Sequence, residues 1–390
     1  MTKEKYLNRN TYLLSLFIYN LARVLPHAIL TVILLNKGMS ISDIAVIQSF
    51  FMLAAIIFEF PSGFLTDIWS EKFMYQLSLI LLGISYFITM VSNKFPILCI
   101  SWFIYGMSSA SMSGSLDSYF IRRAKSDEEI KHINVLINHS TLYSGLIGGG
   151  IGSFIYKEIN IKIYIISLVL IFFSLILITF IFHPQKNIEK PSNNFENFHN
   201  IINDLKQITK QHRLIISIAL YGVFEIITQL FFQFWQINFL KQHFTKAYFG
   251  LLYILFQVIA ILGNSLFSKF DFSKKLPFLV VNIFIFYFSS LLIKNKILFL
   301  FLIILFLLPF NLYNNQLVVN IQKESSNKIV ASVISLSETI SSIVSVIILW
   351  IIGILNNHLN FLLIEKIMIL IFTLLSLMLI KFYSSNERKN

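Results

Sequence analysis

Five charged side chains, Arg23, Glu59, Asp117, Glu225 and Glu338, and two histidines, His27 and His139, interrupt stretches that are otherwise apolar. A charge at the centre of a bilayer costs about 2.5–3.5 kcal/mol on insertion scales, so each is expected to border water, a partner or a cargo. The carboxylates can take up and release protons. Arg23 can pair with Glu59, and Glu59 is open to either role, fixed ion pair or protonation site. Arg23, Glu59, Glu225 and Glu338, with His27 and His139, are therefore expected to line a substrate cavity and to offer proton coupling. The two histidines read equally as packed polar groups.

On the run that holds Glu225, Tyr221, Phe231, Phe232 and Trp235 can form an aromatic wall, although such a stripe also reads as helix packing. An acidic, aromatic lining suits cations and zwitterions through ion pairing and cation–π contact. Glu365 and Lys366, at the outer end of the last apolar run, are expected to snorkel to the interface.

Other chemistries find little support. The 8 histidines are scattered without metal-ligand spacing, and the single cysteine, Cys99, forms no internal disulfide. No Gly-x-x-x-x-Gly-Lys-Ser/Thr phosphate loop occurs. The expectation is a protein that is not an enzyme, with no cofactor and no metal. A polytopic membrane transferase is the distant alternative.

The elements that must position these groups are set by composition. Of 390 residues 56% are hydrophobic and 13% charged, with 40 Phe and a mean hydropathy of +0.74. Apolar runs of about 20 residues recur, the length a helix needs to cross a bilayer. The fold class is all-α integral membrane, with twelve spanning helices. The basic start MTKEKYLNRN precedes a run without a small-residue cleavage site, so it is expected to stay as the first span. Residues 1–182 and 213–390 each hold six spans, and the polar stretch 183–212, with an amphipathic part at 198–208, joins them. Within the second run, Pro61-Ser62-Gly63 reads as a turn.

Loops on one side of the membrane, including both termini, hold 21 Lys and Arg against 8 on the other. Basic loops stay on the cytoplasmic side, which places both termini inside the cell. The net charge of +12 is a topology signal and no nucleic-acid footprint. If the halves are parallel repeats, Arg23 and Glu225 fall at matching depths, about 12 residues into their helices and so about 18 Å along them. Repeat-built transporters place their sites at that depth.

In GFLTDIWSEK, Gly63, Leu65, Asp67, Ser70 and Lys72 resemble the loop signature of the major facilitator superfamily, between spans two and three. The pattern departs at Ile68, Ser70 and Glu71. FEFPSG, SGSLDSYF, FFQFWQ and IVASVISL look like a group of bacterial permeases classed with multidrug exporters, and GLIGGGIG is similar to the glycine-rich signature of the superfamily's antiporters, although close helix packing also explains it. The resemblance implies two pseudo-symmetric six-helix bundles rocking about a central cavity. It also implies a cytoplasmic latch carried by Gly63, Asp67 and Lys72. Asp117, Arg122 and Arg123 complete an inner-end charge network or, for the arginines, serve as positive-inside anchors. The expected function is proton-coupled efflux of an amphipathic small molecule, by a monomer in the bacterial inner membrane, with import of a nutrient or metabolite as the alternative. The partners are a small-molecule substrate, protons and lipid, and no nucleic acid.

Overall fold

The computed structural model describes residues 3–113, 115–124, 126–184, 211–325 and 330–387; the side chains at 3–6, 60–68, 127, 330–332 and 386–387 fall outside the described set. The amphipathic part of the central loop, 198–208, lies outside the described residues.

The described chain is built from helices: α1 (Lys3–Val24), α2 (Leu30–Asn36), α3 (Ile41–Ile68), α4 (Glu71–Val91), α5 (Phe95–Met112), α6 (Leu116–Arg122), α7 (Asp127–Ile159), α8 (Ile163–Ile176), α9 (His212–Lys241), α10 (Phe249–Phe267), α11 (Leu276–Ser290), α12 (Lys296–Glu324), α13 (Val330–Asn356) and α14 (Phe361–Glu387). Among the described residues, ten segments are long and apolar enough to cross a membrane. One of them, Glu128–Ile181, holds both α7 and α8, joined by a 3₁₀ turn at Asn160–Lys162. The 15-residue α11 stands apart as a shorter apolar helix, flanked by Lys274 and Lys275.

Two expected spans are broken and one is not. Pro26, which has no N–H to donate, ends α1, and the chain crosses to α2 through a 3₁₀ turn, His27–Ile29. α5 and α6 are separated at Ser113–Ser115, where Ser115 Oγ donates to the Met112 carbonyl at 2.7 Å. The turn expected at Pro61-Ser62-Gly63 does not form, since α3 runs through to Ile68. In lipid, opening a helix strands several backbone groups at several kcal/mol each, whereas one proline removes a single N–H.

Starts of helices carry polar caps. Ser70 accepts from Phe73 N–H at α4, Ser126 from Glu129 N–H at α7, and Asn295 from the N–H groups of Ile297 and Leu298 at α12. Apolar side chains on α4, α8 and α11, such as Phe87, Phe172 and Phe278, stand exposed, as lipid-facing positions do.

The chain forms two compact units. The first comprises the described part of Met1–Ser192 with Thr245–Ile254, and the second the described part of Asn193–Phe244 with Leu255–Asn390. Hydroxyls bind the first unit internally. Ser15 Oγ meets Ser174 Oγ at 2.6 Å and Tyr75 Oη at 3.0 Å, and Ser101 Oγ donates to the Ser85 carbonyl at 2.7 Å while meeting Thr89 Oγ1 at 2.7 Å. Phenylalanine binds the second: Phe231 packs edge-on to Phe306 and Tyr287, and Phe239 edge-on to Phe299.

Small residues let α7 approach its neighbours. A Cβ at Gly152 would lie 2.0 Å from the Leu25 carbonyl oxygen, and one at Gly250 would lie 2.2 Å from that of Gly150. The first turns of α10, which belong to this unit, are held by Ser153: its hydroxyl accepts from Gly250 N–H at 2.9 Å and donates to the Ala247 carbonyl at 2.8 Å.

Candidate functional site

In the second unit, one face of α9 carries Tyr221, Glu225, Gln229 and Gln233 at four-residue spacing, the repeat that stacks side chains along a helix. Glu225 is buried and faces α13. Its Oε1 accepts from Ser341 Oγ at 2.7 Å, and its Oε2 from Ser345 Oγ at 2.8 Å and Gln229 Nε2 at 2.9 Å. Gln233 Nε2 donates onward to Gln229 Oε1 at 3.0 Å. The three donors are uncharged, and no Lys, Arg or His forms an ion pair with Glu225 among the described residues. Tyr221 lies within electrostatic reach of both Glu225 and Glu338, and Glu338 is exposed. Of the aromatic residues expected to form a wall, Phe232 is exposed, whereas Phe231 and Trp235 are buried and pack on Phe256.

In the first unit, Arg23 occupies the last turn of α1, just before the break at Pro26. It lines a small recess with His27, Ser85, Tyr86, Trp102 and Tyr105. Its leading electrostatic neighbours are the phenols of Tyr105, Tyr19, Tyr86 and Tyr253. Tyr86 donates to the Arg23 carbonyl at 3.0 Å. His27 is exposed at the rim, edge-on to Tyr253. Glu59 on α3 and His139 on α7 are exposed, the latter beside the Tyr143 ring.

At the other end of the first unit the charges sort into separate contacts. Asp117 accepts a hydrogen bond from Tyr12. Arg122 pairs with Glu71 at 3.1 Å, and the Arg123 guanidinium lies over the Tyr119 ring, 3.8 Å from its centroid. Lys72 Nζ donates to the carbonyls of Thr179 and Phe182 at 3.0 and 2.8 Å, closing the C-terminus of the π-helical turn Leu177–Ile181. Gly63 and Asp67, the other two latch residues, have side chains outside the described set.

Glu365 corrects the sequence reading. It is fully buried and does not snorkel. Its Oε1 accepts from Asn238 Nδ2 at 2.5 Å and from Tyr287 Oη at 2.9 Å, while Oε2 is enclosed without a partner. Lys241, one turn beyond Asn238, lies over the Phe361 ring with its Nζ 4.9 Å from the centroid. A carboxylate at the start of an apolar run next to a lysine looks like an interfacial pair; the polar residues Asn238 and Tyr287, on α9 and α11, are the signal that it has internal partners.

Residues 12–349 match the Major Facilitator Superfamily, and the chain belongs to it. It is an all-helical, multi-pass membrane protein with that fold, a secondary transporter and not an enzyme. The chain is similar to the structure of a mutant of nucleoside transporter NupG, with a TM-score of 0.78 and 15% identity over 97% of this chain and 99% of that one. It is similar to a bacterial homologue of the human lysosomal transporter Spinster, in an inward-facing and occupied conformation, with a TM-score of 0.75 and 10% identity over 100% and 98%. A D-xylose-proton symporter follows at 0.73 and 10%, over 98% and 97%. Among curated proteins none matches.

Proposed function

We propose that this transporter couples proton movement to the passage of a small amphipathic organic molecule across the bacterial inner membrane, with both termini in the cytoplasm, and that it works outward as an exporter. The observation that carries the coupling is Glu225, a buried carboxyl whose three hydrogen-bond donors are neutral. Hydroxyls can turn to accept as well as donate, so the Ser341 and Ser345 pair can serve the ionised and the protonated carboxyl alike. A lysine or arginine in their place would hold the group ionised. Glu338 and Tyr221 extend this polar face, and Arg23, Glu59, His27 and His139 supply the polar groups of the first unit. The outward direction rests on the permease-like segments FEFPSG, SGSLDSYF, FFQFWQ and IVASVISL.

Uptake is the second reading, supported by the likeness to a nucleoside transporter and a D-xylose-proton symporter. Proteoliposomes holding the purified protein under an imposed pH gradient test both. Tetraphenylphosphonium, ethidium, uridine and D-xylose are the solutes, and interior pH is followed with a trapped dye. Solute flux against its gradient, driven by the pH difference and lost in Glu225→Gln, supports the coupling. Flux that ignores the pH gradient in parent and variant alike overturns it. The direction of solute movement relative to the proton decides between the readings.

A further inference from the structure

The recess around Arg23 has a charge and a shape of its own. It is built by the last turn of α1, the turn that follows it with the start of α2 through Leu30, α4 through Ser85, Tyr86 and Thr89, α5 through Trp102 and Tyr105, and α8 through Tyr164. The Tyr86 ring is held edge-on by Tyr105 at 5.9 Å and by Tyr164 at 5.0 Å, so the wall is rigid. Trp102 is fixed in turn by its indole N–H, which donates to Gln48 Oε1 at 3.1 Å.

Within that wall the guanidinium is electrostatically unmatched. Its dominant neighbours are phenols, which are neutral near pH 7. The Tyr105 hydroxyl hydrogen-bonds with Arg23, the Tyr86 hydroxyl spends its proton on the Arg23 carbonyl, and Arg23 Nε is sealed from solvent without a partner. A cation kept among neutral groups with an N–H unspent is a receptor for an oxyanion. Of the oxyanions, a carboxylate matches best. Its two oxygens in one plane fit the guanidinium fork, and its single charge cancels the single positive charge present. A phosphate at about −1.5 to −2 would leave negative charge uncompensated. The enclosed space is only about 10 Å³, room for one water-sized group, so the recess admits no more than the carboxylate end and leaves the rest of the ligand outside.

We propose that this recess binds the carboxylate end of an organic acid or zwitterion, so that the carried molecule bears a carboxylate. The recess as an oxyanion receptor stands on its own geometry; its assignment to the cargo rests on the transport reading above.

The test uses the full chain in nanodiscs with radiolabelled benzoate as the probe, and acetate, benzamide and inorganic phosphate as competitors. Benzoate is expected to be displaced by acetate, and benzamide, isosteric but uncharged, to compete at least about 10-fold less well than unlabelled benzoate. Arg23→Gln is expected to weaken benzoate binding at least about 10-fold, with Arg23→Lys restoring part of it and Tyr105→Phe costing a few-fold. No saturable benzoate binding, equal competition by benzamide, stronger competition by phosphate than by acetate, or unchanged binding in Arg23→Gln each overturns the proposal. The benzoate-to-benzamide ratio is read in the parent protein and needs no variant to fold. Benzoate bound in the recess but never carried into proteoliposomes overturns the transport reading and leaves the site. Carriage of neutral solutes with no preference for carboxylates overturns the assignment of the site to the cargo and leaves the transport reading.

Discussion

The Asn238 amide donates to Glu365 Oε1 across 2.5 Å, tying α9 to α14 inside the second unit. Tyr287 adds a bond from α11, so one enclosed carboxyl joins three helices. Glu365→Ala leaves two buried donors unpaired, each worth about 1–3 kcal/mol, and Glu365→Gln keeps an oxygen for both. The alanine variant is expected to melt well below the parent and the glutamine variant close to it, followed by tryptophan emission in detergent. Equal melting of the two variants would show that the bonds to Oε1 hold nothing together.

Glu225 and Ser345 form the second relationship open to measurement. A double-mutant cycle of Glu225→Gln and Ser345→Ala is expected to give a coupling of about 0.5–3 kcal/mol, the range for residues in one hydrogen-bonded network. Additive effects on the melting point would separate the two groups. Ser341→Ala, which removes the bond to the other oxygen, is expected to couple to Glu225→Gln by a similar amount.

Much of the architecture is legible in the sequence, because a helix that must cross lipid shows itself as an unbroken apolar run. Where the chain breaks a span is harder to see. Pro26 interrupts a helix and Pro61 does not, although both stand in apolar runs; Leu25, beside the break, lies against Gly152 of α7, 127 residues away, a contact the sequence does not display. The partners of the ionisable groups are hidden for the same reason. Arg23 invites pairing with Glu59, and its tyrosines come from its own helix and from α4, α5 and α10; Glu365 has Lys366 beside it in sequence and Asn238 and Tyr287 beside it in space. Spacing along one helix is readable, as Tyr221, Glu225, Gln229 and Gln233 show, but which helix faces that stripe is not.

Gly152→Ala is expected to disrupt the first unit. Its added Cβ would stand 2.0 Å from a backbone oxygen, which no rotamer can relieve, and overpacking of this kind costs about 1–3 kcal/mol. Cys99, buried and the single thiol, reports the outcome: maleimide labelling on heating should begin at lower temperature than in the parent. Unchanged labelling would mean that the helices separate to accept the methyl group.

The Arg122–Glu71 pair, 3.1 Å apart, places a buried carboxylate beside a more exposed guanidinium. Arg122→Gln leaves Glu71 without its cation, and solvent reaching Arg122 discounts the loss to the order of 1 kcal/mol. The same variant with Glu71→Gln is expected to recover most of the melting temperature. Failure of the second change to compensate would assign the loss to Arg122 itself, through its contact with Ser118.

The two units are glued by different substances. Interlocked hydroxyls hold Ser15 to Ser174 and Ser101 to Ser85, whereas edge-on rings hold Phe231 to Phe306 and Phe239 to Phe299. Small alcohols compete for the former and aromatic solvents for the latter, so the two halves of this one chain are expected to differ in which solvent loosens them first.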